Sequence, residues 1–289
     1  MNRVGLNITE NKLQLVEIVG KSNNYFLDNV DEESFSEKLN FQLSNLDFIN
    51  ILQPAFNNLK KRNSLSSENI SIALPIDLFR IFSFPIEPEL SVSDLHEQME
   101  WEFSILFPTL SIGDFIVRQK KISNTVNYNP EILVIAIERR LIKVLFDFSK
   151  ENNLSLQFVD NSHFTSDLLI DKNNSVSLYL SKNFISCFVY MNQELVGFRR
   201  FEPNNQVKLI DYLGDFTSEE SDSKREFYIS GDIEFDKTRN DIEESLKLNI
   251  NDVNPFNHIP LSESFIQNEH YLNRANQFAS AAGISFRTS

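Results

Sequence analysis

Apolar and polar residues alternate near the start of the chain. In residues 4–8 every second side chain is apolar, which is the pattern of a β-strand. A turn at residues 11–12 leads into a second alternating stretch at 13–18, and residues 23–30 could pair as a third strand. Short strands joined by tight turns predict an antiparallel meander.

A helix and a buried strand are predicted after this meander. Apolar residues recur at three- and four-residue steps over 44–62, which predicts a helix with one buried face. Pro54 lies inside that pattern and should end or kink the helix. Residues 69–75 form a short, nearly continuous apolar run, as in a strand covered on both faces.

The middle of the chain predicts a small unit of strand, helix and hairpin. Residues 79–86 alternate as a strand, and Ser91 with Asp94 forms a capping box that opens a helix. Leu95, Met99, Phe103 and Leu106 form the apolar stripe of this helix, which Pro108 ends. The elements predicted next are a hairpin (114–122 and 131–137), a helix (139–151) and a strand (154–159).

The second half begins as the first did, with three strand patterns in a row. These lie at 175–180, 184–191 and 194–201. A helix (205–216), a strand (226–230) and two helices (238–247 and 271–282) are predicted after them. Two halves that each open with a meander suggest an internally duplicated α/β fold.

Composition and charge narrow the possible functions. Apolar residues make up 41% of the 289 positions, enough for a core. The net charge of −14 argues against nucleic acid as a partner. The lone cysteine, Cys187, excludes an intrachain disulfide and is expected to be a buried thiol. With neither an apolar leader nor an uninterrupted apolar stretch of about 18 residues, we expect a cytoplasmic protein without direct membrane insertion.

Four stretches, taken in order, resemble the PilM family of type IV pilus assembly proteins. Residues 4–18 resemble the family's first phosphate hairpin, and residues 70–86 resemble the strand that enters its inserted subdomain. Residues 85–112 carry the most specific match: a Pro-rich turn, a Ser-capped acidic helix with a central Trp-Glu, and an aromatic-Pro exit. Residues 252–257 and 278–287 resemble the family's Asn-Pro-Phe strand and last helix.

The resemblance implies an α/β protein with mixed sheets and the duplicated two-lobe fold of the actin-like ATPases, which FtsA and the cytoplasmic part of GspL share. Lobe 1 would comprise 1–77 and 159–172, a strand-helix-strand-strand insert would comprise 78–158, and lobe 2 would comprise 173–289. In the family, nucleotide lies between the lobes. The cytoplasmic tail of a membrane protein, PilN, docks against lobe 1 and its insert.

The nucleotide-binding motifs depart from the family pattern. The family's Asp-x-Gly-Ser/Thr appears as Asn7-Ile8-Thr9-Glu10, and residues 177–183 contain neither Asp nor Gly. One Gly of the family's three remains in Ser230-Gly231-Asp232. Glycine lets backbone N–H groups approach phosphates, and aspartate organises Mg²⁺. Asn7, Thr9, Ser230 and Gly231 are the remaining candidates for holding ATP and Mg²⁺. As an alternative, Asn7 and Thr9 are ordinary hairpin residues.

A partner groove is predicted around Trp101, with Phe82 and Phe84 as its floor. Exposed Trp is enriched at binding hot spots, although Trp101 would equally widen the buried face of its helix. The four histidines show no metal-ligand spacing. His163 follows Asp160, but no nucleophile elbow accompanies it, so no catalytic triad is predicted.

Three hypotheses of function follow. The first is a non-catalytic scaffold that docks the tail of a PilN-like inner-membrane protein in a type IV pilus or secretion-like assembly. The second is an ATP-binding switch of the same fold with divergent loops. The third is an unrelated α/β protein. Self-association into a homo-oligomer is compatible with the first two hypotheses.

Overall fold

Two five-stranded sheets with the same strand arrangement form the frame of the protein. The computed structural model describes residues 2–21, 24–87, 91–123, 130–203, 205–217, 225–231, 236–262, 265 and 269–287. The strands are β1 (Arg3–Ile8), β2 (Lys12–Lys21), β3 (Asn24–Ser34), β4 (Asn69–Leu74), β5 (Arg80–Pro85), β6 (Phe115–Ser123), β7 (Pro130–Glu138), β8 (Ser155–Asn161), β9 (Asn174–Leu180), β10 (Ile185–Met191), β11 (Glu194–Phe201), β12 (Glu226–Gly231) and β13 (Ile250–Asp252). The helices are α1 (Asn45–Arg62), α2 (Val92–Leu106), α3 (Arg139–Glu151), α4 (Ser162–Ser166), α5 (Gln206–Gly214), α6 (Asp236–Leu246), α7 (Pro255–His258), α8 (Glu269–Leu272) and α9 (Ala279–Ser285).

The first sheet has the order β3-β2-β1-β4-β8, and the second has the order β11-β10-β9-β12-β13. In each sheet the first three strands are antiparallel, and the remaining two run parallel to the central strand. The two predicted meanders are therefore confirmed. The predicted duplication is visible as one strand order that is used twice.

The third sheet, in the order β5-β7-β6, lies between β4 and β8 in the sequence and is covered on one face by α2. Ser91 caps α2, because its hydroxyl accepts the N–H of Asp94 at 3.2 Å. Met99 and Phe103 of the predicted stripe are buried, whereas Leu106 is 49% exposed. The prediction for Leu106 was wrong because α2 ends at this residue, and the next residue, Phe107, packs against the cluster in its place.

The main hydrophobic core lies between the first sheet and the helices α1 and α3. Phe56 of α1 packs against Phe148 of α3 with ring centroids 5.2 Å apart. Pro54 does not end α1, since the helix continues to Arg62, and the alternative of a kink stays a prediction. Apolar residues before and after the proline, such as Phe48 and Leu59, are buried in the same core, and this packing offsets the lost backbone hydrogen bond.

The end of the chain differs from the prediction of one helix over 271–282. The segment is instead divided into α8, a 3₁₀ turn at Ala275–Phe278, and α9. Arg274 leaves the helical region, with φ −125° and ψ 23°. This break redirects α9 so that it packs against β1 and against α4, a short helix that the sequence did not predict.

Two elements differ from the predicted domain boundaries. β8 begins inside the predicted insert 78–158, yet it pairs with β4 of the first sheet. α9 falls in the predicted lobe 2, yet it packs against β1. Hydrogen bonding and packing between segments distant in sequence decide both placements. Within the described residues, no helix is both long and apolar enough to cross a membrane.

Candidate functional site

A cleft of about 630 Å³ lies between the two large sheets. It is formed by the turn between β1 and β2, the turn between β9 and β10, and the end of β12, which are the positions of the three divergent motifs. Its lining residues include Thr9, Glu10, Asn11, Lys12, Lys38, Asp77, Lys182, Gly231, Asn276 and Gln277. The strands that carry the motifs are central in their sheets, so their ends meet at this cleft.

The first turn satisfies its own hydrogen bonds. The Thr9 hydroxyl accepts the N–H groups of Asn11 at 3.2 Å and Lys12 at 3.1 Å, and it lies 3.1 Å from the Lys12 carbonyl oxygen. Asn7 is 2% exposed, and its amide donates to Gln14 Oε1 at 3.0 Å. Two backbone N–H groups that could face an anion are thus directed at the Thr9 side chain.

The second turn is closed in a similar way. Ser181 Oγ accepts the N–H of Phe184 at 3.2 Å and lies 2.9 Å from the Phe184 carbonyl oxygen. Ser181 Oγ also lies 3.2 Å from Asp77 Oδ1, so the second turn contacts the segment that follows β4. Burial raises the pKa of Asp77 above its usual value. This contact joins the two sides of the cleft directly.

The third segment is used for packing. The Ser230 hydroxyl lies 3.0 Å from that of Ser166 and is buried. A Cβ atom on Gly231 would lie 2.4 Å from the carbonyl oxygen of Leu180. The absence of a side chain at Gly231 therefore permits close contact between the parallel strands β12 and β9. Asp232, the last residue of this motif, lies outside the described residues.

Carboxylates neutralise cations at the cleft. Lys12 and Arg274 bind Glu32 at 2.8 and 2.7 Å, and Lys38 binds Glu10 at 2.5 Å. Burial raises the pKa of Glu32, but the hydrogen bonds and charges of Lys12 and Arg274 outweigh burial and hold the pKa below its usual value. Among the described residues, no group of three His, Cys, Asp or Glu side chains is arranged to hold a metal ion.

Comparison with known proteins shows the fold. No protein-family model matches the sequence, and no curated protein is similar to it in sequence. The solved structure of a PilM-PilN type IV pilus biogenesis complex matches 99% of this chain and 98% of that chain, with a TM-score of 0.65 and 15% identity. The chain has the actin-like ATPase fold.

Two further structures agree with this fold. A Bacteroides thetaiotaomicron protein with actin-like ATPase fold and unknown function matches 99% of this chain and 96% of that chain, with a TM-score of 0.51 and 13% identity. The ethanolamine utilization protein EutJ from Carboxydothermus hydrogenoformans matches 99% of this chain and 89% of that chain, with a TM-score of 0.51 and 6% identity. Identities this low establish the fold alone.

The actin-like ATPase fold implies a nucleotide with Mg²⁺ in the cleft, and the residues present fit that group poorly. An anion-binding hairpin needs N–H groups directed outward, whereas those of Asn11 and Lys12 point at Thr9. The cleft lysines Lys12 and Lys38 are already paired with Glu32 and Glu10, so they add little attraction for a phosphate. The orphaned acceptor of the first hairpin, Asn7 Oδ1, is buried and is not part of the cleft lining.

A buried hydrogen-bond network lies where α4 connects the two halves of the actin-like fold. His163 Nδ1 lies 2.5 Å from Ser186 Oγ, and His163 Nε2 lies 3.1 Å from Ser177 Oγ. Asp167 accepts hydrogen bonds from Ser177 at 2.5 Å and from Tyr190 at 2.7 Å. The sequence did not predict this network, because its members come from α4, the following turn, β9 and β10.

The network resembles a catalytic triad in composition but not in access to solvent. His163 and Asp167 are both 0% exposed, so no substrate reaches them. Burial lowers the pKa of His163 well below its usual value, and the nearby charge of Lys172 lowers it further. Burial raises the pKa of Asp167 to about 6. The network connects the halves of the fold and has no open site for catalysis.

The predicted groove residues do not share one surface. Phe82 and Phe84 are 7% and 2% exposed and belong to the cluster between the third sheet and α2. Phe82 contacts Phe103 of α2 with ring centroids 6.3 Å apart. Trp101, by contrast, is 60% exposed on the outer side of α2. The two phenylalanines therefore support α2 from below, and only Trp101 is available to a partner.

Proposed function

We propose that this protein is a non-catalytic actin-like scaffold. It binds the cytoplasmic tail of a PilN-like inner-membrane protein and is held at the membrane through that partner. The observation that carries the proposal is the hydrogen bonding of the cleft. The hydroxyls of Thr9 and Ser181 accept backbone N–H groups of their own turns, and Ser181 also contacts Asp77. The two sides of the cleft are joined by protein groups at the place where a nucleotide would join them.

The absence of catalysis is inferred from the chemistry of the cleft. Hydrolysis of ATP needs a metal ion that bridges phosphates and a residue that orients the attacking water. By the resemblance to the PilM family, Asn7 corresponds to the family's first aspartate, and its amide is bonded to Gln14. An amide with no net charge is a poorer Mg²⁺ ligand than a carboxylate.

The docking role is supported by the likeness over the whole chain to a PilM-PilN complex. At 15% identity this likeness supports the fold, and the partner is a proposal by analogy. The exposed side chain of Trp101 supplies an independent feature, because large exposed aromatic residues are frequent anchors of interfaces. A type IV pilus or a related envelope assembly is the setting that this partner implies.

Two titrations test the proposal. The purified protein is mixed with ATP and Mg²⁺ in a calorimeter and in a thermal unfolding assay, and then with a synthetic peptide of the cytoplasmic tail of the PilN-like protein from the same genome. We expect no response to ATP and saturable binding of the peptide. A ligand at about 100 times its Kd stabilises a protein by about 2.7 kcal/mol, so binding of ATP would be readily detected. Binding of ATP, or a peptide without effect, contradicts the proposal.

An ATP-binding switch is the second candidate, and one observation favours it. The cleft volume of about 630 Å³ lies within the range of small-molecule sites, and Lys182 contributes an exposed cation to its lining. For this function the turns at Thr9 and Ser181 would have to open. A rise in the unfolding midpoint with ATP and Mg²⁺, absent with AMP, would establish this candidate in place of the scaffold.

A further inference from the structure

The outer side of α2 presents apolar groups to solvent. Trp101 and Ile105 are 60% and 54% exposed and lie one helical turn apart, so their side chains are neighbours. Asp94 and Glu97 extend the same side of the helix toward its start, since residues three and four apart share a face. We call this surface, formed by Asp94, Glu97, Trp101 and Ile105, the Trp101 face.

The segment around the Trp101 face carries charge of one sign. Between Arg80 and Arg118 the sequence contains no Lys or Arg. The same segment contains the acids Glu87, Glu89, Asp94, Glu97, Glu100, Glu102 and Asp114. His96 is the one partial counter-charge in it, at 3.3 Å from Glu100. The carboxylates around the apolar pair Trp101 and Ile105 repel nucleic acid and anionic lipid, and they attract a cationic partner.

We propose that the Trp101 face binds a cationic amphipathic segment, in which Lys or Arg residues flank apolar anchors. The proposal rests on the proposed function, because it names the chemistry of the docking partner. Cytoplasmic segments next to a membrane span carry an excess of Lys and Arg, which matches the acidic surround. The apolar anchors cover Trp101 and Ile105, and a Lys or Arg side chain can lie on the Trp101 ring as a cation–π pair.

Trp101 supplies its own assay, because it is the single tryptophan of the chain. The probe is an 18-residue synthetic peptide of Leu and Lys with Leu at helical spacing. We expect a saturable blue shift of the protein's tryptophan emission and reduced quenching by acrylamide, both weakened by salt. A scrambled peptide of the same composition controls for charge alone, and a peptide with Glu in place of Lys should have no effect.

Variants locate the binding surface through the anisotropy of a labelled peptide. Trp101→Ala and Glu97→Lys should each weaken binding by about tenfold or more, as expected for an anchor and for reversal of an attractive charge. The matched controls are Val207→Ala, at a side chain 70% exposed on α5, and Glu244→Lys on α6, which should bind as the unaltered protein does. All four positions are partly or fully exposed, so the variants should fold.

Several outcomes would overturn the assignment. Unchanged emission with the Leu/Lys peptide would show that the Trp101 face is not a docking surface. A blue shift that grows with protein concentration alone would identify a second copy as the occupant, and one produced by phosphatidylglycerol vesicles would identify a membrane surface.

The tail peptide of the proposed function separates the two ideas. Equal binding of that peptide to the unaltered protein and to Trp101→Ala would leave the scaffold function intact and refute this surface. Binding of the Leu/Lys peptide without binding of the tail peptide would support the Trp101 face as a docking surface and refute the scaffold function.

Discussion

Gly283 allows α9 to fit against α4, and replacing it with alanine tests how tightly the two are packed. A Cβ atom at Gly283 would lie 1.8 Å from the carbonyl oxygen of Thr165 and 2.6 Å from its carbon. Both neighbours are backbone atoms, so no side-chain rotation can relieve the overlap. To restore an ordinary contact of 3.4 Å, α9 and α4 must separate by about 1.6 Å.

The expected cost follows from the surroundings of α9. Its residues are buried between β1 and α4, and a Cβ atom on Gly5 would lie 2.0 Å from the Ala281 carbonyl oxygen on the opposite side. The helix therefore has little room to move away from Thr165. Overpacking of this kind costs about 3 kcal/mol, and the gain in helix propensity from Gly to Ala returns about 1 kcal/mol. We expect Gly283→Ala to lower the free energy of unfolding by about 2 kcal/mol or more.

Urea unfolding followed by far-UV circular dichroism measures this change. Gly214→Ala is the matched control, because Gly214 also lies in a helix, and the atom nearest to an added Cβ there is 3.9 Å away. That variant should be neutral or more stable by up to about 1 kcal/mol. If Gly283→Ala unfolds within about 0.5 kcal/mol of the unaltered protein, the close packing of α9 on α4 is refuted.

Three further predictions concern buried groups and one ion pair. Between about pH 4 and pH 6, Asp167 is protonated in the folded protein, where its pKa is raised to about 6, but ionised in the unfolded chain. His163 is protonated in the unfolded chain but neutral in the folded protein, where its pKa is lowered. The two groups therefore change the free energy of unfolding with pH in opposite directions and offset each other. As the pH falls from 6 to 4, His163→Gln should therefore gain stability relative to the unaltered protein. Asp167→Asn should lose stability relative to it, by up to about 1.4 kcal/mol per pH unit in urea titrations. Equal slopes for the two variants would contradict the assignment. The thiol of Cys187 is buried and its pKa is raised by burial, so it should react with Ellman's reagent at pH 8 only as fast as the protein unfolds, and immediate reaction of the folded protein would contradict this. Arg62 binds Asp31 through Nε at 2.8 Å and through a terminal nitrogen at 3.1 Å. Arg62→Ala should therefore lower the free energy of unfolding by about 1–2 kcal/mol in thermal unfolding at low salt, whereas Lys61→Ala should leave it unchanged. Equal effects of the two variants would exclude a specific role for the Arg62–Asp31 pair.

Every described strand except β13 was predicted from the sequence, because alternation is a local signal that the three residues of β13 are too few to show. The buried strand β4 and the capped helix α2 were equally visible in short windows around Ile72 and Ser91. Pro54 misled the prediction because local chemistry favours a break there, whereas burial of residues on both sides of it holds the helix together.

The end of the chain and the buried network could not be predicted in this way. The position of α9 depends on contacts of Gly5 and Gly283 with backbone atoms far away in the sequence. α4 has five residues, too few to show a helical period. The hydrogen bonds of His163 reach side chains on two strands of the second sheet, and no local window contains both ends of these bonds.

At the candidate site, the departures at Asn7, Thr9 and Gly231 were visible in the sequence. The consequence of each departure needed coordinates. The sequence shows a threonine in a turn, but it does not show which N–H groups the Thr9 hydroxyl accepts or where they point. Likewise it shows one remaining glycine, but not that a side chain at Gly231 would collide with the carbonyl oxygen of Leu180. Trp101 was identified as a candidate, but the burial of Phe82 and Phe84 depends on how α2 covers the third sheet.

The contact between α9 and β1 has a consequence for the order in which the protein folds. β1 and α9 are far apart in the sequence, with Gly5 of β1 next to Ala281 of α9, so closing this contact joins a very long loop. Loop closure of this kind is entropically costly and slows folding. During synthesis, the surface of the first sheet that α9 covers stays exposed until α9 itself has left the ribosome. Until then the nascent chain presents apolar surface that is prone to aggregation.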